Sequence, residues 1–523
     1  MRRMIVGLMM LAAVRIAAQD IPSDEMPGYK SMNSDDLRGY EAVLTADSLE
    51  GRETSYPGQK RAATYIADEF RSFGLKPMGD DGTYLQHFDV ILRKVDPASS
   101  LAVRAGDAST RYRWGDEFMT DGARDTTLQG PVVFAGFADS KVPTEDGVLD
   151  GKIILIFAGS RTAAPDTSRM QSMRRLFAQR RDRGIRATLV ITDAEGAASF
   201  DAVSKIIRDF PPVRGRMSLV GEESRSRMTS APRIFISPSL ATSLLRAAGL
   251  TLEEARTSAQ SSPTFAPITL PGVSVTLDSH MLQEDRSTEN VIGTIEGSDP
   301  LLKDQVVVFS AHYDHLGIGT DGRIYRGADD DASGTSTILE LARAFATNPV
   351  RPKRTLLFLT VVGEEKGLLG SKYYTTHPVI PLDRTVADLN IDMIGRVDPP
   401  HEQKGETQYV YVIGSDKISP ELDSLLRAAN AQTERLDFDY KYNDESDPEQ
   451  LYRRSDHYNF ASKGVPVSFF FTGLHADYHQ PTDTPDKILY DRMLSIGRVI
   501  YATGWKVADF PRQLDRKPGG PAQ

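Results

Sequence analysis

From Asn290 onward the chain alternates short apolar runs with amphipathic segments, and this alternation restricts its fold more than any other feature. Apolar runs predict strands at 305–311, 355–362, 386–393, 409–413 and 465–472. Between them, apolar residues at helical spacing predict helices at 332–346, 366–376, 420–431 and 487–507. Strands that alternate with helices assemble as an α/β fold, here a three-layer α/β/α sandwich around a mixed, mostly parallel sheet. Ligands of such sheets bind beyond the carboxyl ends of the strands. The residues that follow each predicted strand are therefore the first candidates for chemistry.

The stretch Ser310 to Gly334 occupies the first such position. It leaves the apolar run Val306-Val307-Val308-Phe309 and enters a helix marked by Ile338, Leu341, Ala342 and Phe345. Between them stand His312, Asp314, His315 and the triplet Asp329-Asp330-Asp331. Imidazole and carboxylate grouped this way suggest a metal, although a solvated loop with an Asp cap accounts for the stretch taken alone. Later strands add to it. Glu364-Glu365 follow T-L-L-F-L-T-V-V-G, Asp392 follows A-D-L-N-I, and His457, His475 and His479 flank the last strand. Singly, each has a structural explanation, such as a Glu pair complementing a helix dipole. Asp392 lies among Leu389, Ile391, Met393 and Ile394, where a carboxylate has to be paired or metal-bound. Convergence of all of them on one sheet edge favours the metal.

Composition narrows the metal chemistry. The 523 residues include no cysteine, which excludes disulfides, thiol nucleophiles and Cys-type structural zinc sites. Any metal must be held by His, Asp and Glu, the ligands of hydrolytic zinc. The net charge of −10 gives no basic footprint for nucleic acid. No G-x-S-x-G elbow and no H-E-x-x-H helix occurs.

The N-terminus reads as a signal peptide, residues 1–18. Arg2 and Arg3 precede an apolar core from Met4 to Val14, and Ala17-Ala18 offers a cleavage site. About 11 apolar residues are too few to span a bilayer, so the expectation is an exported protein, periplasmic or extracellular, without stable membrane insertion. Residues 34–127 read as the N-terminal part of the main domain. A helix starts at Ser34, and a second carries Ala62, Ile66 and Phe70 and closes at Gly74. Residues 128–255 read as an inserted, mainly-β domain without histidine, with a basic helix around Arg169 to Arg183 as a solvated face. The Ser/Thr/Pro-rich segment 255–271 reads as the return linker, 270–510 as the rest of the main domain, and 511–523 as a disordered tail.

The segments A-H-Y-D-H-L-G, G-A-D-D-D-A-S-G, V-G-E-E-K-G-L-L-G-S, L-N-I-D-M-I-G, R-S-D-H-Y-N-F and D-Y-H-Q-P-T-D-T occur in that order. Together they resemble the co-catalytic di-zinc aminopeptidase family, which includes secreted bacterial leucyl aminopeptidases and is related to glutamate carboxypeptidase and the transferrin receptor. The inserted block resembles a protease-associated (PA) domain through D-G-K-I-I-L-I-F-A-G, and the early G-R-E-T-S-Y-P-G and F-G-L-K-P also fit. The resemblance implies two Zn2+ per chain. His312 and Asp392 would bind one ion, Glu365 and His479 the other, and Asp330 would bridge both. The family has Asn-Asp-Asn where this chain has Asp329-Asp330-Asp331. It also implies a cis peptide after the bridging residue, at Asp330–Asp331.

On that assignment Glu364, adjacent to the ligand Glu365, is free to act as general base on a water and as acid to the leaving amine. Asp314 would accept the second imidazole N–H of His312 and fix its tautomer. Tyr478 resembles the family's oxyanion-stabilising tyrosine; a packed rim aromatic is the alternative. Asp456 and Asp483 would support the ligands from behind. The implied function is a secreted metallo-aminopeptidase acting on peptides. A carboxypeptidase or dipeptidase on the same scaffold is the alternative, with Arg326, Arg396, Arg453 and Arg454 as candidates for a carboxylate. A non-catalytic receptor-like homologue would have lost ligands that this sequence keeps. The acidic segment Asn443 to Glu449 either rims the pocket, favouring cationic substrates, or is a solvated loop.

Overall fold

A computed structural model describes residues 21–120, 125–138, 140–142, 147–159, 184–192, 199–209, 215–222 and 231–517. The expected signal peptide and the basic helix around Arg169 to Arg183 lie outside them.

The main sheet is built from β1 (Leu85–Val95), β2 (Arg216–Leu219), β3 (Met281–Ile295), β4 (Val306–His312), β5 (Thr355–Val361), β6 (Thr385–Ile391), β7 (Tyr409–Ile413), β8 (Asp437–Asp439) and β9 (Val467–Phe471), in the order β8-β7-β9-β6-β4-β5-β3-β1-β2. The two-residue strand Lys76–Pro77 pairs with β3 off this path. The central strands β5, β4, β6 and β9 run parallel, while β3, β1 and β2 pair antiparallel. The α/β sandwich with a mixed, mostly parallel centre is thus observed.

Burial explains the layers. In β4, Val307, Phe309 and Ala311 join a core with Ile66 and Phe70 of α1 (Pro57–Ser72), Ile338 and Phe345 of α2 (Gly334–Thr347), and Trp505 of α4 (Tyr490–Asp509). Val306 and Val308 face the other way, to a core with Leu357, Leu359, Phe460 and Tyr374 of α3 (Leu369–Thr376). A strand apolar on both faces must be covered on both, which is the parallel-sheet arrangement. Each fully buried side chain of this kind contributes about 1.5–3 kcal/mol. Gly504 lets α4 approach β4 closely, since a Cβ there would lie 2.4 Å from Phe309 Cζ.

A second sheet has eight strands: Ser100–Ala105, Ala108–Arg113, Phe118–Thr120, Thr126–Phe137, Ile153–Phe157, Ala187–Ile191, Arg233–Ile236 and Ile268–Ser279. It has its own core around Phe134, Ile153, Leu189 and Ile234. The expected insertion limits, 128–255, are therefore too narrow: three strands before 128 and one after 255 belong to this sheet. One segment within those limits, β2, pairs instead with β1 of the main sheet. The expected linker at 255–271 is also corrected. Thr251 and Glu254 form a capping box that starts the helix Leu252–Gln260, and a strand begins at Ile268.

Residues 511–517, read as the start of a loose tail, are tied down. Arg512 and the Asp515 amide both donate to Glu421, and the Lys517 amide donates to Ile418 O at 2.8 Å. Among the described residues no helix is long and apolar enough to cross a membrane.

Candidate metal centre

Strand register brings the site together. His312, the last residue of β4, lies opposite Val361 of β5, so the turn carrying Glu364 and Glu365 leaves beside it. Ser310 lies opposite Asn390 of β6, which sets Asp392 at the same edge. Asn390 in turn lies opposite Phe469 of β9, whose following loop carries Tyr478, His479 and Asp483.

Asp330 occupies the centre. Its Oδ1 is 3.3 Å from His312 Nε2, and its Oδ2 is 3.2 Å from His479 Nε2. Asp392 Oδ1 is 3.6 Å from His312 Nε2, and Glu365 Oε2 is 3.0 Å from His479 Nε2. Two groups able to hold an ion share Asp330: His312 with Asp392, and Glu365 with His315. All five residues expected as ligands are thus brought together, and His315 joins them. Several of these atoms are buried without a hydrogen-bond partner: His312 Nε2, His315 Nδ1, Asp330 Oδ2 and Glu365 Oε1. Unpaired buried polar atoms are costly, and a cation among them removes the cost. The His, Asp and Glu donor set fits zinc in a hydrolytic rather than a structural site.

The electrostatics agree. Burial pushes the Asp330 carboxyl up, but the close imidazoles of His312 and His479, at 3.3 and 3.2 Å, hold it well below the usual carboxylate range. Burial and the Asp330 charge push Glu365 up, yet the neighbouring imidazoles bring it down to about 2. Burial lowers His479, but Glu365 and Asp330 raise it to about 11. Glu364 is different: burial, opposed by His312, pushes it well above the ordinary value.

The bridging turn is built with care. The Asp330–Asp331 peptide is cis, as the resemblance implied. Asp331 accepts from the amides of Gly334 at 2.8 Å and Met393 at 3.1 Å. Asp329 accepts from Gly395 N at 2.6 Å and lies 3.1 Å from His475 Nε2. Asp483 accepts from the amides of Asp329 and Asp330 at 3.0–3.2 Å. Asp329 and Asp331 therefore hold backbone, while His475 and Asp483 fasten both sides of His479. Non-glycine residues at positive φ gather here, at Met393 (56°), Leu368 (60°) and His479 (57°). Such conformations cost about 1–3 kcal/mol each and persist where surrounding contacts over-determine them.

The expected role of Asp314 needs correction. Its backbone carbonyl, not its carboxylate, is the nearer acceptor for His312 Nδ1, at 3.2 Å against 3.8 Å. The carboxylate accepts from Thr54 Oγ1 at 2.6 Å and from the Glu364 amide at 3.3 Å. A residue two positions after His312 cannot easily turn its short side chain back to the ring, and its carbonyl already faces it. Asp456 is buried and accepts from Ser371 Oγ behind the site.

Tyr478 stacks on His479 with ring centroids 3.8 Å apart, and its hydroxyl accepts from Arg454 at 3.5 Å. Burial and the charges of Asp330 and Glu365 keep its hydroxyl protonated far into the basic range. Of the four arginines considered, Arg454 contacts Tyr478 itself, and Arg396 lies one residue away through Asp477. Arg326 pairs with Asp47, Arg396 pairs with Asp477, and Arg453 covers the Tyr458 ring. The acidic segment reaches the rim through Glu449, 3.3 Å from Arg454. His457 stays outside the site, stacked on Phe469.

Sequence reasoning missed Arg52 and Thr54. The Arg52 guanidinium, fully buried, donates to the carbonyls of Leu44, Tyr313, Arg326 and Gly327, fixing both flanks of the His312–Asp330 loop. In the sequence the G-R-E-T segment stands out only through its family resemblance. Nothing in its local pattern shows that it closes on residues some 260 positions away.

Comparison with known proteins agrees with this geometry. Residues 290–504 match the model of peptidase family M28. A probable zinc metalloprotease of Pyricularia oryzae is 31% identical over 267 residues, covering 43% of this chain and 51% of that protein. A probable leucine aminopeptidase 2 of Aspergillus oryzae is 30% identical over 271 residues, covering 47% and 49%. The chain spans about half the length of these relatives. The solved aminopeptidase of Aneurinibacillus sp. strain AM-1 aligns over 94% of this chain and 98% of its own, with a TM-score of 0.55 at 18% identity, a likeness of fold. The whole converging cluster thus lies within residues 290–504, the part of the chain that matches peptidase family M28.

Proposed function

We propose that the chain is an exported aminopeptidase that holds two zinc ions and removes N-terminal residues from peptides. The observation that carries this reading is the position of Asp330, which offers one oxygen to each of two converging groups, with Glu364 in the electrostatic reach of His312, Glu365 and Asp392. His312, Asp392 and Asp330 would hold one ion, and Glu365, His479 and Asp330 the other. Bound there, a pair of zinc ions supplies an activated water and Lewis-acid stabilisation of the reacting carbonyl. Glu364 would take a proton from the attacking water and return it to the departing amine, a role suited to a carboxyl that burial raises above the ordinary carboxylate range. Tyr478, kept protonated and held by Arg454, donates its hydroxyl to the carbonyl oxygen as charge develops. Relatives named leucine aminopeptidase and zinc metalloprotease support the reading. We assign the second sheet to a protease-associated domain, and export rests on the N-terminal sequence.

The test is a substrate panel on the purified protein, comparing free with blocked N-termini, together with a zinc count per chain. Cleavage restricted to free N-termini, with two ions bound, is the expected result. A carboxypeptidase or dipeptidase reading draws on Arg454 as a carboxylate partner. Cleavage that needs a free C-terminus would select it.

A further inference from the structure

We infer that Tyr409, outside the metal centre, is a positioning residue that acts through Tyr478, which on the reading above donates to the developing oxyanion. Tyr409 opens β7 and is buried, as are Asp398, His401, Tyr411 and Thr472. The Asp398 amide donates to the Tyr409 hydroxyl at 2.9 Å. That hydroxyl has one hydrogen to give and two acceptors in reach, Thr472 O at 2.6 Å and Asp398 Oδ1 at 3.2 Å. Asp398 Oδ1 is already served by the His401 amide at 3.1 Å and by His401 Nδ1 at 2.6 Å, and the Tyr411 hydroxyl donates to Oδ2 at 2.7 Å. The Tyr409 hydrogen therefore goes to the closer acceptor, Thr472 O. A relay runs from the Asp398 amide through the Tyr409 hydroxyl to the Thr472 carbonyl.

Thr472 is where β9 gives way to the loop that carries Tyr478. Its amide and its hydroxyl each lie 3.0 Å from the carbonyl of Met393, the residue after the proposed ligand Asp392. Thr472 is thus held at both ends, by Met393 and by Tyr409. The next residue, Gly473, has φ 100° and passes directly over Asp398: a Cβ there would lie 2.4 Å from Asp398 Cβ. Further along, Tyr478 packs on the cluster that Met393, Tyr409, Tyr411 and Tyr442 form. The Tyr409 ring itself has little freedom. His401 stacks on it with centroids 3.4 Å apart, and the Arg492 guanidinium covers it at 4.5 Å. His479 is fixed separately, by the contacts around Asp329 and Asp483. Loss of the Tyr409 hydroxyl therefore shifts Tyr478 and spares the metal.

Steady-state kinetics of the zinc-loaded full chain test this in two backgrounds. Tyr409→Phe keeps the ring and removes the hydroxyl. In the wild-type background it should lower kcat about 10–100-fold, with KM and the zinc count unchanged. In a Tyr478→Phe background no hydroxyl is left to position, and the same substitution should change kcat by less than about twofold. Asp398→Asn, which loosens the other end of the relay, should show the same split. An equal loss in both backgrounds, a loss of zinc, or an unchanged kcat for Tyr409→Phe would overturn the inference. Failure of both variants to fold, read by near-UV circular dichroism, would overturn it too, because the relay would then serve the fold rather than Tyr478. Wild-type kcat in Tyr478→Phe removes the oxyanion role and this inference together, whereas a damaged Tyr478→Phe beside an unaffected Tyr409→Phe removes this inference alone.

Discussion

Thr54 and Asp314, 260 positions apart in the chain, are joined by a 2.6 Å hydrogen bond from Thr54 Oγ1 to Asp314 Oδ2. Both are fully buried. Asp314 also receives the Glu364 amide, so this bond steadies the residue proposed as general base. Thr54→Val keeps the shape and removes the donor. We expect stability to fall by about 1–3 kcal/mol, since a buried acceptor loses its partner. We also expect kcat to drop about tenfold or more with KM little changed. Denaturant melts and steady-state kinetics check the two parts.

Glu364→Gln should lower kcat by about 10²–10⁴-fold while the zinc content stays at the wild-type level. The amide preserves volume and cannot take a proton. Loss of zinc from this variant would mean that Glu364 is a ligand instead.

Zinc loading should release protons. Burial lowers His312, but Asp392 and Asp330 raise it well above the ordinary value, and His479 stands at about 11. At pH 7–8 His479 is therefore protonated before loading, His312 is shifted in the same direction, and both must be neutral to bind metal, so protons should leave on loading. Calorimetry in buffers of different ionisation enthalpy measures the number, and a value of zero would contradict the assignment of both rings.

Asp388, behind the site, gives a pH dependence of stability. Ser310 Oγ lies 2.7 Å from Asp388 Oδ1 and 2.9 Å from Asn390 Oδ1, and a single hydroxyl hydrogen cannot serve both. A protonated Asp388 solves this by donating to Ser310. Burial raises its carboxyl from 3.8 to about 8. The folded state then holds a proton that the unfolded state releases. Its contribution is complete below about pH 4 and is lost as pH rises through about 8. Asp388→Asn should flatten the fall in melting temperature between those values, measured on the metal-free protein.

The main sheet was legible because its central strands are apolar on both faces, which no loop tolerates. The five expected ligands were legible because strand ends carry them in order. The second sheet was harder to read. Val273, Val275 and Leu277 alternate strictly and are buried, but Pro271-Gly272 interrupts the run where the strand changes register, so its first residues, Ile268 to Leu270, fall in the segment 255–271 that reads as a linker. The supports of the site escaped for another reason. Arg52, Thr54 and His475 act only through folding partners far along the chain, and the space for the His315 ring depends on Gly327, twelve residues on.

Arg52 has a consequence for how the protein matures. Its guanidinium lies closed off from solvent in the electrostatic reach of Asp314, Asp330, Asp331 and Glu41. An acid-rich cavity of this kind would repel itself during assembly if it had to wait for dissolved ions. Here a covalently attached counter-ion is already inside. The polypeptide can therefore reach its final shape empty and be charged with metal afterwards. Zinc-free protein should melt in one cooperative transition, and Arg52→Met should make folding depend on the metal supply.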